Sequence, residues 1–162
     1  MEQQCFQFAY ERYHSISELP VADADLLRIA RETTQDAYAP YSRFRVGAAA
    51  RMKNGEIIRG TNQENASYPA GICAERVLLS AAAALYPGVA VLDIAISYQS
   101  DTVASNRPVT PCGICRQSLV EMENRFAQSI RLILGGQTGA VWVIPESRHL
   151  LPMGFSGEDL GG

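Results

Sequence analysis

Two runs on either side of the polar triplet Lys53-Asn54-Gly55 carry the plainest pattern in the chain. FRVGAAARM, Phe44 to Met52, and EIIRGTN, Glu56 to Asn62, are apolar runs of strand length, and an Asn-Gly turn between them predicts a β-hairpin. Upstream, Leu26, Ile29, Ala30, Thr33 and Ala37 recur at three- and four-residue spacing after Pro20, which predicts a helix with Asp23 as its cap and the PYS triplet as its end. ICAERVLLSAAAAL predicts a second helix from about Cys73 to Tyr86, stopped by Pro87-Gly88. VLDIAIS, Val91 to Ser97, reads as a buried strand. A polar loop with Pro108 and Pro111 then leads into a third helix, about Gly113 to Phe126. SIRLILGG and AVWVIP complete the strands. At the N-terminus Phe6, Phe8 and Tyr10 alternate with Cys5, Gln7 and Ala9, as a short strand or an extended arm would.

This order of elements predicts an α/β fold, a three-layer α/β/α domain around a mixed five-stranded sheet. The expected division is an N-terminal arm over residues 1–22 and one domain over residues 23–162, whose last dozen residues form a tail that docks. A chain of 162 residues buries a full core without staples. Hydrophobic content of 47% with 19% charged residues places it among soluble globular proteins.

Charge narrows the partners. The net charge is -3, and the 14 Lys and Arg are scattered, with Lys53 the single lysine. A protein that grips a phosphate backbone carries a basic stripe, so a nucleic-acid partner is disfavoured. No apolar run reaches the roughly 20 residues of a membrane span. MEQQCFQFAYERY carries acid and amide groups where a signal peptide has a basic head and an apolar core, so the expected location is cytoplasmic. In a reducing compartment the 4 cysteines are metal ligands or redox groups rather than disulfides.

PCGICRQ gives Cys112 and Cys115 the C-x-x-C spacing at the start of the third helix, where two thiolates can share one metal ion and helix amides favour negative charge. Cys73 opens the second helix. If the two helices lie side by side, three thiolates meet, and three protein ligands on zinc leave the fourth position open for chemistry. The rival readings are a thiol redox pair, a structural zinc site with Cys5 or His149 as fourth ligand, and buried cysteines without a role.

The segments CAE and PCGIC, joined in order by YSRFRVGAA, GTNQENASY and LLPMGFSGEDL, resemble the small homotetrameric zinc-dependent cytidine deaminases over about Asp23 to Leu160. That resemblance implies Zn2+ held by Cys73, Cys112 and Cys115, and hydrolysis of the nucleosides cytidine and deoxycytidine to uridine or deoxyuridine and ammonia, in pyrimidine salvage. Glu75 is implied to take the water's proton, pass it to ring nitrogen 3, and later help protonate the departing ammonia. Phe44 is implied to pack on the nucleoside, Asn62 and Glu64 to bind the ribose hydroxyl, and the Ala74 backbone to read the base edge. Phe155 and Tyr68 would reach the site from a neighbouring subunit of a homotetramer. Arg76 is implied to hydrogen-bond the ligand thiolates, whose three charges exceed that of the metal. Pro69-Ala70 and Arg45 depart from the family pattern, and Arg116 and Gln117 receive no assigned role. Within the superfamily the rival substrate is another small heterocycle; from other classes the rivals are a nucleic-acid editing deaminase and a zinc-stabilised interaction module.

Overall fold

The computed structural model describes residues 1–161. In chain order the elements are β1 (Glu11–Tyr13), α1 (Val21–Thr33), β2 (Phe44–Met52), β3 (Ile57–Thr61), α2 (Ala74–Leu85), β4 (Val91–Ser100), α3 (Gly113–Phe126), β5 (Arg131–Gly135) and β6 (Val141–Ile144). The strands form one sheet in the order β1-β6-β5-β4-β2-β3. Only β4 and β5 are parallel; the other pairings are antiparallel. The architecture is the expected mixed sheet between helical layers. Its strand count is six rather than five, because Glu11 to Tyr13 pair with Val143 to Val141 along the free edge of β6. Among the described residues no helix is long and apolar enough to cross a membrane.

Alternation in β2 sorts its side chains between two cores. Ala48, Ala50 and Met52 face α2 and α3 with Leu78, Ile94, Ile96, Leu132 and Leu134, while Ala49 faces α1 with Leu27, Ala30, Ala95 and Ile133. The β4 and β5 interiors are apolar on both faces because helices cover both. Burying each of these Leu or Ile side chains contributes roughly 1.5–3 kcal/mol relative to exposure. The expected Asp23 cap is not formed. The Pro20 carbonyl accepts the Asp23 and Ala24 N–H groups, and the buried Asp23 carboxylate instead pairs with Arg131, with Arg51 at 3.7 Å. A carboxylate this deep needs cations more than a solvent-facing cap needs it.

Two glycines set how closely the helices approach. A Cβ on Gly47 would lie 2.3 Å from the Ala30 carbonyl oxygen of α1, and one on Gly60 would lie 2.5 Å from the Ala74 carbonyl oxygen and 2.7 Å from the Leu78 nitrogen of α2. The first turn of α2 therefore rests directly on β3. At the far end of α3, buried Glu123 accepts four hydrogen bonds: from the Ile130 N–H at 2.8 Å, the Ser147 N–H at 3.0 Å, the Ser147 hydroxyl at 2.8 Å and Arg148 Nε at 2.7 Å. These donors satisfy the buried charge and fasten the segment after β6 to α3. Gly60→Ala is expected to cost about 1–3 kcal/mol, because the new methyl meets backbone that cannot swing aside. Chemical denaturation of the zinc-loaded protein measures this; an unchanged midpoint contradicts the close packing.

Candidate metal centre and active site

The last residue of β3 is followed by a narrow ladder that delivers the site. The Gln63 N–H donates to the Ile72 carbonyl at 2.9 Å and the Ile72 N–H returns to the Gln63 carbonyl at 3.0 Å, one residue before Cys73. On the other side Tyr38 N–H donates to the Asn62 carbonyl at 3.1 Å and Glu64 N–H to the Tyr38 carbonyl at 2.8 Å. Asn62 to Glu64 are thereby held between the end of the α1 layer and the start of α2.

Cys73 and Cys112 are the residues that precede α2 and α3, both extended, with φ of -72° and -69°. Cys115 is buried in the first turn of α3. The Sγ atoms of Cys73 and Cys112 lie 3.7 Å apart, those of Cys112 and Cys115 3.5 Å apart, and all three fall within 4.8 Å of one another. Three sulfurs on one tetrahedral Zn2+ at about 2.3 Å stand about 3.8 Å apart, so the group fits the ion. Neither Cys5 nor His149 belongs to it among the described residues. His149 instead stacks under Phe8 with ring centroids at 5.4 Å. A fourth protein ligand from either is thus absent, as an open coordination position requires.

The electrostatics of the cluster are uneven. The Cys73 thiol is pulled down to about 6, first by its hydrogen-bonding partner Cys115, then by Cys112 and the positive charge of Arg76, against the effect of burial. The same bond, with burial, pushes Cys115 up. Without a metal this arrangement favours a thiolate at Cys73 beside neutral thiols, and a metal replaces it by taking all three sulfurs deprotonated. Glu75, in the first turn of α2, is 5% exposed. Burial, helped by the Cys73 charge, raises its pKa above the usual 4.5, while the Cys115 thiol and its own N–H hold it back.

With that geometry in place, the comparisons with known proteins can be read on particular residues. Residues 20–128 match the family model of the cytidine and deoxycytidylate deaminase zinc-binding region, a stretch that contains all three cysteines, Glu75, Arg76, Phe44, Asn62, Glu64 and Tyr68. The chain belongs to the cytidine and deoxycytidylate deaminase family. A cytidine deaminase of Halalkalibacterium halodurans is 42% identical over 135 residues, which cover 83% of this chain and 95% of that one. A probable cytidine deaminase of Dictyostelium discoideum is 38% identical over 141 residues, 81% of this chain and 82% of that one. The crystal structure of cytidine deaminase from Burkholderia pseudomallei superposes with a TM-score of 0.70 at 36% identity, covering 81% of this chain and 97% of that chain. The family brings zinc with it, and Cys73, Cys112 and Cys115 are the group able to hold the ion.

The other candidate residues of this deaminase-family chain fall into two sets. Phe44, Asn62 and Glu64 are built into the scaffold. The Asn62 side chain accepts the Val46 N–H at 2.7 Å and donates to the Phe44 carbonyl at 2.9 Å, which leaves one amide N–H and one lone pair free for a ligand. Glu64 accepts the Tyr41 and Ser42 N–H groups at 2.9 and 3.2 Å, and its pKa is lowered, first by the Ser42 hydroxyl and then by these amides. It lines a cleft of roughly 330 Å³ with Tyr41, Ser42, Asn65, Tyr68 and Gly71. Tyr68 and Phe155 form the second set: both rings stand exposed on this chain, at 74% and 57%. The Ala74 backbone is fully buried at the start of α2.

Arg76 influences Cys73 through its charge, and among the described residues no hydrogen bond joins it to a thiol. Its side chain lies in the groove between α2 and α3 with Leu79, Ser80, Ser118 and Met122. Arg116 and Gln117, which the sequence alone assigns no role, are structural here. Arg116 donates to the Pro111 carbonyl at 2.8 Å, to Thr110 Oγ1 at 3.0 Å and to the Leu150 carbonyl at 2.9 Å, bracing the loop before Cys112. Gln117 Nε2 holds the Phe155 carbonyl at 2.8 Å. Their position directly after the second cysteine was the available signal. Arg76→Ala is expected to speed zinc loss to a chelator roughly tenfold, the scale of outer-sphere substitutions at metal sites; unchanged zinc retention together with unchanged turnover contradicts a compensating role.

Proposed function

We propose that this chain is a zinc-dependent cytidine deaminase that hydrolyses cytidine and deoxycytidine to uridine or deoxyuridine and ammonia, in pyrimidine salvage in the cytoplasm. The observation that carries the reading is the convergence of three thiols with a buried carboxyl two residues from one of them, inside the family's matched region. A bound zinc ion supplies Lewis acidity that makes water a nucleophile near neutral pH. The protein's own groups do the rest. Ionised Glu75 accepts one proton of the attacking water and delivers it to ring nitrogen 3, then carries the proton of the newly added hydroxyl to the amino group, which leaves as ammonia as the carbonyl forms, a role suited to a carboxyl whose pKa is lifted by burial. The Ala74 backbone and the Glu75 side chain read the base edge, Phe44 packs on the nucleoside, and the free valences of Asn62 and Glu64 take the ribose hydroxyl. Exposed Tyr68 and Phe155 complete the site of a neighbouring subunit in a homotetramer. The three thiolates carry more charge than the metal neutralises, and Arg76 with the two helix N-termini offsets the excess.

Loss of ultraviolet absorbance on mixing zinc-loaded protein with cytidine tests the activity. Glu75→Gln is expected to slow turnover about 100- to 10,000-fold with zinc content unchanged. Cytidine and deoxycytidine that both survive excess wild-type protein contradict the proposal. The raised pKa also fixes a pH dependence. A carboxyl must be ionised to accept a proton, and a raised pKa means ionisation comes later as pH rises. The acid limb of kcat/KM is therefore expected to have its midpoint above 4.5; a midpoint at or below that value contradicts Glu75 as the base.

A further inference from the structure

Phe44, proposed above to pack on the nucleoside, is held from two directions. Its backbone is pinned by Asn62, whose amide bonds the Phe44 carbonyl and the Val46 N–H. Its ring lies flat on Tyr98, with centroids 4.8 Å apart and 11° between planes. Strand register explains the meeting: Val46 pairs with Tyr98 and Phe44 with Ser100, so Phe44 and Tyr98 are diagonal neighbours on the face of the sheet that carries Ile96 and the two cysteine-bearing helices. Diagonal pairs across adjacent strands are within reach of aromatic rings.

Tyr98 itself cannot move far. It is 1% exposed, and its hydroxyl donates to the Ala104 carbonyl at 3.1 Å. That carbonyl belongs to the loop between β4 and α3, which ends at Cys112, and the Ser105 hydroxyl pins the same loop by accepting the Ser100 N–H at 3.1 Å. Gln137 Nε2 donates to the Tyr98 carbonyl at 3.3 Å from behind. Tyr98 is thus a rigid plate with one face against a half-buried Phe44, whose remaining surface is open.

We propose that Tyr98 is a positioning residue for the nucleoside: its buried ring fixes the orientation of Phe44, and through Phe44 the affinity for substrate. The inference rests on the reading of Phe44 as a pocket wall in a cytidine deaminase. On this proposal Tyr98 acts on the nucleoside only through Phe44, so its loss weakens binding more than chemistry.

The test compares cytidine kinetics of zinc-loaded wild type, Tyr98→Met, Tyr98→Phe, Phe44→Leu and the Tyr98→Met/Phe44→Leu double variant, with zinc content measured for each. Methionine refills the core without a flat face. Tyr98→Met is expected to raise KM roughly three- to tenfold, the scale of losing one aromatic pair, with kcat within about twofold. Tyr98→Phe keeps the plate and is expected to hold KM within about twofold. In the Phe44→Leu background the Tyr98→Met effect on KM is expected to vanish, because the two rings act as one unit. Tyr98→Leu serves the same test if the methionine chain does not fold. A wild-type KM in Tyr98→Met, a fall confined to kcat, or a full KM effect persisting without Phe44 overturns the proposal. Wild type that leaves cytidine untouched, or Phe44→Leu with an unchanged KM, overturns the underlying reading instead.

Discussion

Everything at the site depends on how close the first turns of α2 and α3 come to the sheet and to each other. Gly60 allows the α2 backbone to rest on β3, where any side chain would meet the Ala74 carbonyl and the Leu78 nitrogen. The narrow ladder between Gln63 and Ile72 then fixes the residue before Cys73. On the other side Arg116 braces the loop that brings Cys112 to α3. The sulfur separations of 3.7 and 3.5 Å follow from these backbone contacts and the Arg116 brace. A metal site built this way is preorganised, since binding the ion reorders little of the chain.

Negative charge is concentrated where the helices meet, and the fold manages it by placement. The cluster stands at the N-termini of two helices, where the helix dipole favours negative charge, and Arg76 adds a positive charge along the α2–α3 groove. Glu75 is buried beside the thiols, so its charged form is disfavoured and its proton stays available at higher pH than an exposed carboxylate would allow. The acidic groups remote from the site are handled differently. Asp23 and Asp93 meet Arg51 and Arg131 at the opposite ends of β2 and β4, and Glu123 is surrounded by four donors. Those groups are satisfied by cations and donors, whereas Glu75 is the buried carboxyl that lies beside the thiols.

Much of this was legible in the chain because it is local. The Lys53-Asn54-Gly55 turn marks the hairpin, and α2 and α3 begin within a residue of their predicted starts, since the cysteines that open them are also where the helical pattern begins. What periodicity does not carry is pairing between distant segments. β1 is three residues of unremarkable composition that become a strand only because β6 offers an edge. Asp23 looks like a cap, yet Arg131 lies far along the chain. The contact of Phe44 with Tyr98 depends on the register of β2 against β4, and the bracing by Arg116 depends on where the Leu150 carbonyl lands. The rings of Tyr68 and Phe155 are visible as aromatics in the sequence, but that they stand exposed is a matter of how the loop before α2 and the C-terminal tail fold.

The central claim is that three thiolates from two helix starts hold one zinc ion and leave a fourth position to water or substrate. X-ray absorption at the zinc edge of the loaded protein measures this directly. The account predicts three sulfur neighbours at about 2.3 Å and one nitrogen or oxygen neighbour at about 2.0 Å, the light neighbour changing when a nucleoside ligand is added. Four sulfurs, or a closed set of protein ligands that ignores the nucleoside, would contradict it.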